Sequence, residues 1–272
     1  MTSAVGTVAT PSGSGLAGRA RDWGPPVGLF VGFLVAWELI VRTFGIQQFI
    51  LPSPVAIAVA WQTYLPELVA AASYTFWEIL GGLVIGSTAG IAVGVITARY
   101  AAMRESLMPF AVAASSVPIL AFAPLFNNWF GLDSQLSKAM VAAALCFFPV
   151  MINTVRGLTT VDPAALELLR SYATPEFVVF RKLRVPNALP YIFTALRLAV
   201  TLATIGAVVG EYFAAPRSSL GQYIATYSAF LNFERSWAAI VFASAIGIGL
   251  YLVVALTERL VMPWHDRRAA GG

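Results

Sequence analysis

The chain has 272 residues, of which 58% are hydrophobic and only 11% charged, with a mean hydropathy of +0.77 and a formal charge of +4. Soluble domains carry about 25% charged residues, so the composition excludes that class and points to a membrane protein. In such a chain the position of each Lys and Arg matters more than their sum, and +4 is no argument for nucleic-acid binding.

Residues 1–24 are rich in Ser, Gly, Thr and Ala and read as a disordered extension. A cleaved signal peptide is disfavoured, because no small-residue cleavage pattern follows the first apolar run. Apolar runs of membrane-spanning length then recur near 27–44, 76–98, 107–126, 136–155, 188–212 and 237–260. They predict an all-α polytopic membrane protein with six transmembrane helices in one membrane domain, 25–264, followed by a short tail, 265–272. Residues 50–72, with Pro52, Pro54, Pro66, Gln62 and Glu67, read as a surface-lying or re-entrant helix rather than a seventh span. The single cysteine, Cys146, sits in an apolar run and excludes a disulfide framework or cysteine metal site. The single histidine, His265, falls in the polar tail and reads as solvated.

The basic residues orient these spans. With the N-terminus inside, Arg19, Arg21, Arg99, Arg104, Arg156, Arg170, Arg181, Lys182, Arg184, Arg259, Arg267 and Arg268 fall inside. Arg42, Lys138, Arg217 and Arg235 fall outside, and Arg197 lies within a span. That bias predicts both termini in the cytoplasm.

The second span carries Gly82, Gly86, Gly90 and Gly94 on one face, a spacing that lets another backbone approach closely; a hinge or a dimer seam is the sharper alternative. The third holds Ser115, Ser116, Pro118 and Pro124 before "NNWFG", which predicts a bent helix or an unwound outer end. Asn127 and Asn128 there could meet a solute or cap a loop, and Asn153 in the fourth span reads as interhelical glue. In the fifth, Arg197, Thr201, Thr204 and Glu211 form a polar stripe beside a small-residue ridge of Ala195, Ala199, Ala203 and Ala207. Ionisable residues at membrane depth usually face protein or a water-filled path, so this helix is expected to line an interior; the alternative is that both charges snorkel to the interfaces. No Ser/His/Asp, Cys/His or metal-ligand cluster lies at membrane depth, so no catalytic residues or metal site are expected.

Between spans four and five the loop 156–187 changes character. Asp162-Pro163 is an N-cap acid followed by proline at the first helical position, and Thr174-Pro175-Glu176 repeats the signal. Two short helices, to about Tyr172 and about Arg184, then make an elbow whose apolar faces (Leu168, Leu169, Tyr172; Phe177, Phe180, Leu183) need a protein groove. The chain's two lysines, Lys138 and Lys182, do not follow glycines, so it has no phosphate loop to bind ATP itself.

The elbow resembles the cytoplasmic signature of permease subunits of type I binding-protein-dependent ABC importers: Glu-Ala-Ala, three residues, Gly, nine residues, Ile-x-Leu-Pro. Glu167 takes the Glu position, Leu168-Leu169 replace the alanines, Ala173 replaces the glycine, and Leu183-Arg184-Val185-Pro186 form the final group. The resemblance extends from about Trp37 to Leu260. "LPSP" at 51–54, "PLFNNWFG" at 124–131, "FFPVMINTVRGLTTVDP" at 147–163 and "LPYIFTALRLA" at 189–199 are similar to the nitrate/sulfonate/taurine and pyrimidine-precursor branch.

That resemblance implies a bacterial inner-membrane permease, itself no enzyme, paired as a homodimer with two cytoplasmic ATPase subunits and an extracytoplasmic solute-binding protein. ATP and Mg would bind on the ATPase, and this chain would hold no cofactor. Asp162, Pro163, Glu167, Leu168, Leu169, Arg170, Ser171, Tyr172, Ala173, Thr174, Pro175, Phe177, Arg181 and Pro186 would form the coupling surface. Arg197, Thr201, Thr204, Glu211, Ser115, Ser116, Asn127 and Asn128 would line the path of alternating access. Tyr172–Thr174 is expected to turn without a positive φ at Ala173, since alanine there would cost about 1 kcal/mol. A single path arginine balanced by Glu211 suits an oxyanion such as sulfonate, taurine or nitrate poorly. Asn127, Asn128, Trp129 and Tyr212 lean toward a flat nitrogen heterocycle such as a pyrimidine or related vitamin precursor. An ATP-independent carrier or channel is the rival class, but a carrier usually shows an internal repeat, which is not seen.

Overall fold

The computed structural model describes residues 16–213 and 219–263, and every element among them is helical. The tail with His265, Arg267 and Arg268, and Arg217, lie outside the described residues. In chain order the elements are α1 (Leu16–Thr43), α2 (Pro54–Thr63), α3 (Leu65–Arg99), α4 (Ala101–Ser115), a 3-10 turn (Ile119–Phe122), α5 (Ala123–Phe130) and α6 (Gln135–Thr159). Then come α7 (Pro163–Ser171), α8 (Glu176–Val179), a π-helical turn (Phe180–Arg184), α9 (Val185–Phe213), α10 (Leu220–Ala229) and α11 (Phe233–Val261).

Five helical stretches are long and apolar enough to cross a membrane, and a sixth exists if α4 and the Ile119–Phe130 segment count together across their 81° bend. The bend falls at Ser116–Pro118, where the missing proline N–H interrupts the helical ladder, as the prolines predict. Three boundaries differ from the sequence reading. α1 begins at Leu16, so the edge of the N-terminal extension at 24/25 falls inside a helix. α3 begins at Leu65, about three turns before residue 76, because Pro66 sits in its first turn where its missing N–H costs nothing. The 50–72 segment therefore divides into α2, capped by the Ser53 hydroxyl on the Ala56 N–H, and the start of α3.

The third difference lies in the elbow. Its second helix is not separate from the next span: α8 runs through the π turn into α9, one helical stretch from Glu176 to Phe213. Pro186 has no N–H and would press on the carbonyl four residues back; the wider π turn just before it absorbs the ring without breaking the helix. Val185 N–H accordingly bonds the Phe180 carbonyl, five residues back.

The core is the contact of α3, α6 and α9, built on small residues. A Cβ at Gly86 would lie 2.8 Å from Ala143 Cα, and one at Gly94 would lie 2.8 Å from Thr154 Cβ. The four-residue glycine row is thus a seam against α6 within this chain, which lets two backbones pack closely in the absence of a hydrophobic driving force between spans. Ala195, Ala199, Ala203 and Ala207 are all buried in the same core, and the buried Cys146 thiol donates to the Ala199 carbonyl at 3.2 Å. α1, by contrast, leaves most of its apolar side chains exposed, and α11 about half of them.

Candidate coupling surface and interior polar sites

α7 starts where the sequence places it. The Asp162 carboxylate accepts from Ala164 N–H at 3.0 Å, and Pro163 occupies the first helical position. Ser171 closes the helix by donating to the Leu168 carbonyl at 2.8 Å. The chain then reverses through Ala173, whose φ is +49°. This overturns the expectation of an ordinary turn. Ala173 N–H bonds Arg170 O at 2.9 Å and Thr174 N–H bonds Leu169 O at 3.1 Å, the paired bonds of a Schellman cap. That motif requires a left-handed residue after the cap; alanine adopts it because the two bonds satisfy carbonyls that would otherwise be orphaned.

The elbow is tied to the end of α6. The Asn187 amide donates to both Gly157 O and Thr160 O at 2.8 Å, and Arg184 donates to Leu158 O at 3.3 Å while pairing with Glu176 at 3.5 Å. The proposed apolar faces divide. Leu169, Phe180 and Leu183 turn partly inward, whereas Leu168 (57% exposed), Tyr172 (75%) and Phe177 (71%) point out together with Glu167, Arg170 and Arg181. Pro175 caps α8 and Pro186 lies within the helical stretch behind it. A rigid mount thus presents three large apolar side chains rimmed by charge.

The polar stripe of α9 does not share one environment. Arg197 forms an ion pair with Glu258 of α11, a partner the sequence reading missed. Thr204 donates to Val200 O within its own helix at 2.9 Å and faces Gly247 of α11, while Thr201 is exposed. Glu211 is fully buried at the end of the bundle away from the elbow. It accepts from Thr75 Oγ1 at 2.6 Å and Gly221 N–H at 2.7 Å, and Thr75 Oγ1 in turn accepts Leu220 N–H at 3.0 Å. Glu211 and Thr75 therefore hold the first two amides of α10 against α9 and α3, a carboxylate at a helix N-terminus. Glu78 and Lys138 are buried beside it, the lysine donating to Leu132 O. Lys138 is thus an interior group rather than an outer-loop charge. Glu78 is a candidate functional residue that sequence reasoning misses, although its place within the apolar run "TFWEILGG" marks it as an intramembrane carboxylate.

Asn127 is buried and accepts from Ser137 Oγ at 2.9 Å, joining α5 to α6, whereas Asn128, Ser115 and Ser116 are exposed. Asn153 bonds Pro149 O of its own helix at 2.8 Å, which corrects its reading as interhelical glue: the short amide reaches the carbonyl one turn back. Also at the end away from the elbow, a cavity of about 620 Å³ is lined by Glu67, Gln222, Tyr223, Thr226, Tyr227 and Phe230. Tyr223 OH donates to Glu67 at 3.2 Å, and burial, with Tyr227 and Glu67 nearby, pushes its phenol above the ordinary range. Behind this box the Arg235 guanidinium stacks 3.4 Å from the Tyr64 ring centroid and 4.7 Å from that of Tyr227.

Residues 86–269 match the family model described as "Binding-protein-dependent transport system inner membrane component". Among named relatives, the formylaminopyrimidine transport permease protein ThiX of Halalkalibacterium halodurans is 31% identical, over 89% of this chain and 96% of its own. The riboflavin transport system permease protein RibX of Chloroflexus aurantiacus is 32% identical, over 89% and 90%. The taurine transport system permease protein TauC of Escherichia coli is 25% identical, over 88% and 89%. A crystal structure of an amino acid ABC transporter aligns with a TM-score of 0.60 at 16% identity, covering 74% of this chain and 97% of that one, a likeness of fold.

Proposed function

Because the chain belongs to the family of binding-protein-dependent transport system inner membrane components, the permeases of ABC importers for small solutes, we propose that it drives alternating access through its elbow, moved by a separate ATPase. The observation that carries this reading is the outward trio Leu168, Tyr172 and Phe177 on a mount fixed to α6 by Asn187. Apolar anchors of this size on a helix, ringed by Glu167, Arg170 and Arg181, suit a groove in a partner protein. The elbow end is then cytoplasmic, a reading that the excess of Arg and Lys at that end supports. Two ATPase subunits carrying ATP and Mg act below a homodimer of this chain in a bacterial inner membrane, with a solute-binding protein above it.

For the solute we infer a flat nitrogen heterocycle. The cavity at the outer end offers tyrosine and phenylalanine faces with Glu67, Gln222 and Thr226 as hydrogen-bonding edges, and two relatives are named for a pyrimidine and a flavin. A sulfonate or taurine would instead call for unpaired cations in the path, and Arg197 is taken by Glu258.

The test is reconstitution of the permease with its ATPase and binding protein in proteoliposomes. Leu168→Asp and Glu167→Ala should lower binding-protein-stimulated ATP hydrolysis and uptake together, by about tenfold or more for Leu168→Asp. Uptake without nucleotide would point to a carrier, and unchanged coupling in both variants would remove the elbow from the mechanism. Saturation of the binding protein by taurine but not by a pyrimidine would overturn the solute assignment.

A further inference from the structure

Three arginines from separate elements converge at the elbow end. Arg99 ends α3, Arg104 lies in the first turns of α4, and Arg184 closes the π turn; together with Glu176, Leu158 and Phe180 they line a cleft of about 160 Å³. Glu176 is the cleft's one carboxylate, and it reaches only Arg184, at 3.5 Å, while half exposed. Arg99 and Arg104 make no ion pair among the described residues. Arg184 Nε is buried without a hydrogen-bond partner. The cleft therefore holds a net charge of +2 and a buried donor with no protein partner, an arrangement that favours an anion.

The place of the cleft narrows the choice of anion. α3 ends at Arg99 and α4 begins at Ala101, so the chain leaves the bilayer and turns back at Tyr100, which is exposed beside the arginines. An aromatic ring next to basic residues at a span end marks headgroup depth. Ile96, one turn back on the same side of α3, is half exposed and gives an acyl chain an apolar bed. Guanidinium forks match phosphate oxygens in pairs, and basic pockets between span ends suit anionic headgroups.

We propose that this cleft binds the phosphate of an anionic phospholipid headgroup, bridging α3 and α4 to the elbow through Arg99, Arg104 and Arg184. The inference rests on the proposed orientation only in assigning the lipid to the cytoplasmic leaflet. A lipid phosphate there competes with Glu176 for Arg184, so its occupancy bears on how firmly the elbow is held.

The experiment uses the full-length chain in nanodiscs of zwitterionic phosphatidylcholine, with and without phosphatidylglycerol, and reads thermal stability. Phosphatidylglycerol should raise Tm by about 3 °C in the unmodified protein. The rise should vanish in Arg99→Gln/Arg104→Gln, shrink in Arg104→Lys, which keeps the charge but loses the fork, and persist in Arg259→Gln at the neighbouring end of α11. A rise that survives the double substitution would overturn the site. If inorganic phosphate alone gives the same shift in detergent, a free anion is the ligand and the lipid assignment falls. If no lipid shifts Tm but the cleft arginines cross-link to carboxylates of the ATPase, the cleft belongs to the protein interface and the proposal fails. Because Tm is read without nucleotide, failure of the coupling mechanism leaves this result standing, and the reverse also holds.

Discussion

Arg197 of α9 and Glu258 of α11 form an ion pair in the elbow half of the bundle, with Glu258 the more buried partner and Arg197 one-third exposed. The pair joins a helix of the packed core to one that is about half exposed, so it fixes the position of α11 where few other polar contacts exist. Removing one partner leaves the other charge in a poorly solvated place, which is the expensive way to break a buried pair. Arg197→Leu should therefore destabilise the protein by about 2 kcal/mol. Arg197→Leu/Glu258→Leu should recover most of that loss. Thermal melts of Arg197→Leu, Glu258→Leu and the double variant in detergent check the cycle; a double loss equal to the sum of the two single losses would mean that the pair is not coupled.

The glycine seam makes a second prediction. A Cβ at Gly86 would sit 2.8 Å from Ala143 Cα and 2.9 Å from Cys146 Cβ, so α3 and α6 would have to part. Gly86→Ala should destabilise by about 1–3 kcal/mol, the range for overpacking a tight interior. Gly249→Ala on α11, where nothing lies within 4 Å of the added carbon, should instead be neutral or stabilise by up to about 1 kcal/mol through helix propensity. Melting curves of the two variants side by side provide the check.

The glycine seam shows what the sequence made legible. A four-residue glycine row on a membrane helix points first to close approach, and α6 supplies the neighbour. The elbow was legible for a similar reason, since Asp162-Pro163 is a local signal and its cap forms locally. Glu211 was not, because its role depends on Thr75, far away on α3, and on the amides of Leu220 and Gly221. Period alone put Arg197, Thr204 and Glu211 on one side of α9, but that side meets α11 at one end and α3 with α10 at the other. The fate of Pro186 was hidden too: a proline that usually ends a helix was absorbed by a π turn.

Tyr223 gives a pH dependence outside the spans. Burial, reinforced by Tyr227 and Glu67, raises its phenol above the ordinary value of 10.0. A folded-state value above the unfolded one means that the stabilisation is complete below about pH 10 and is lost as pH rises through the folded-state value. Stability should thus fall on the alkaline side, and Tyr223→Phe should lose this part of the fall while giving up the hydrogen bond to Glu67. Melting temperatures between pH 8 and about pH 11, with phenolate absorbance followed in parallel, test the sign; an unchanged alkaline slope in Tyr223→Phe would assign it to other groups.

Ala173 carries the most local prediction. Its φ of +49° closes a Schellman cap at the end of α7, in the position where the signature that the elbow resembles has glycine. A Cβ in the left-handed region costs on the order of 1 kcal/mol, and glycine removes that cost while loosening the unfolded chain. The first effect is the larger for a residue already forced to positive φ, so Ala173→Gly should stabilise the elbow by about 0.5–1 kcal/mol. Ala173→Val should do the opposite and by more, because a β-branched side chain is a genuine outlier there. Hydrogen exchange at the Thr174 amide, which bonds Leu169 O, reads the cap directly. Slower exchange in Ala173→Gly and faster exchange in Ala173→Val are expected. The same order should appear in ATPase coupling if the angle between α7 and α8 positions Leu168, Tyr172 and Phe177 for their partner. Equal exchange in all three proteins would mean that the strain at Ala173 is already relieved elsewhere in the turn.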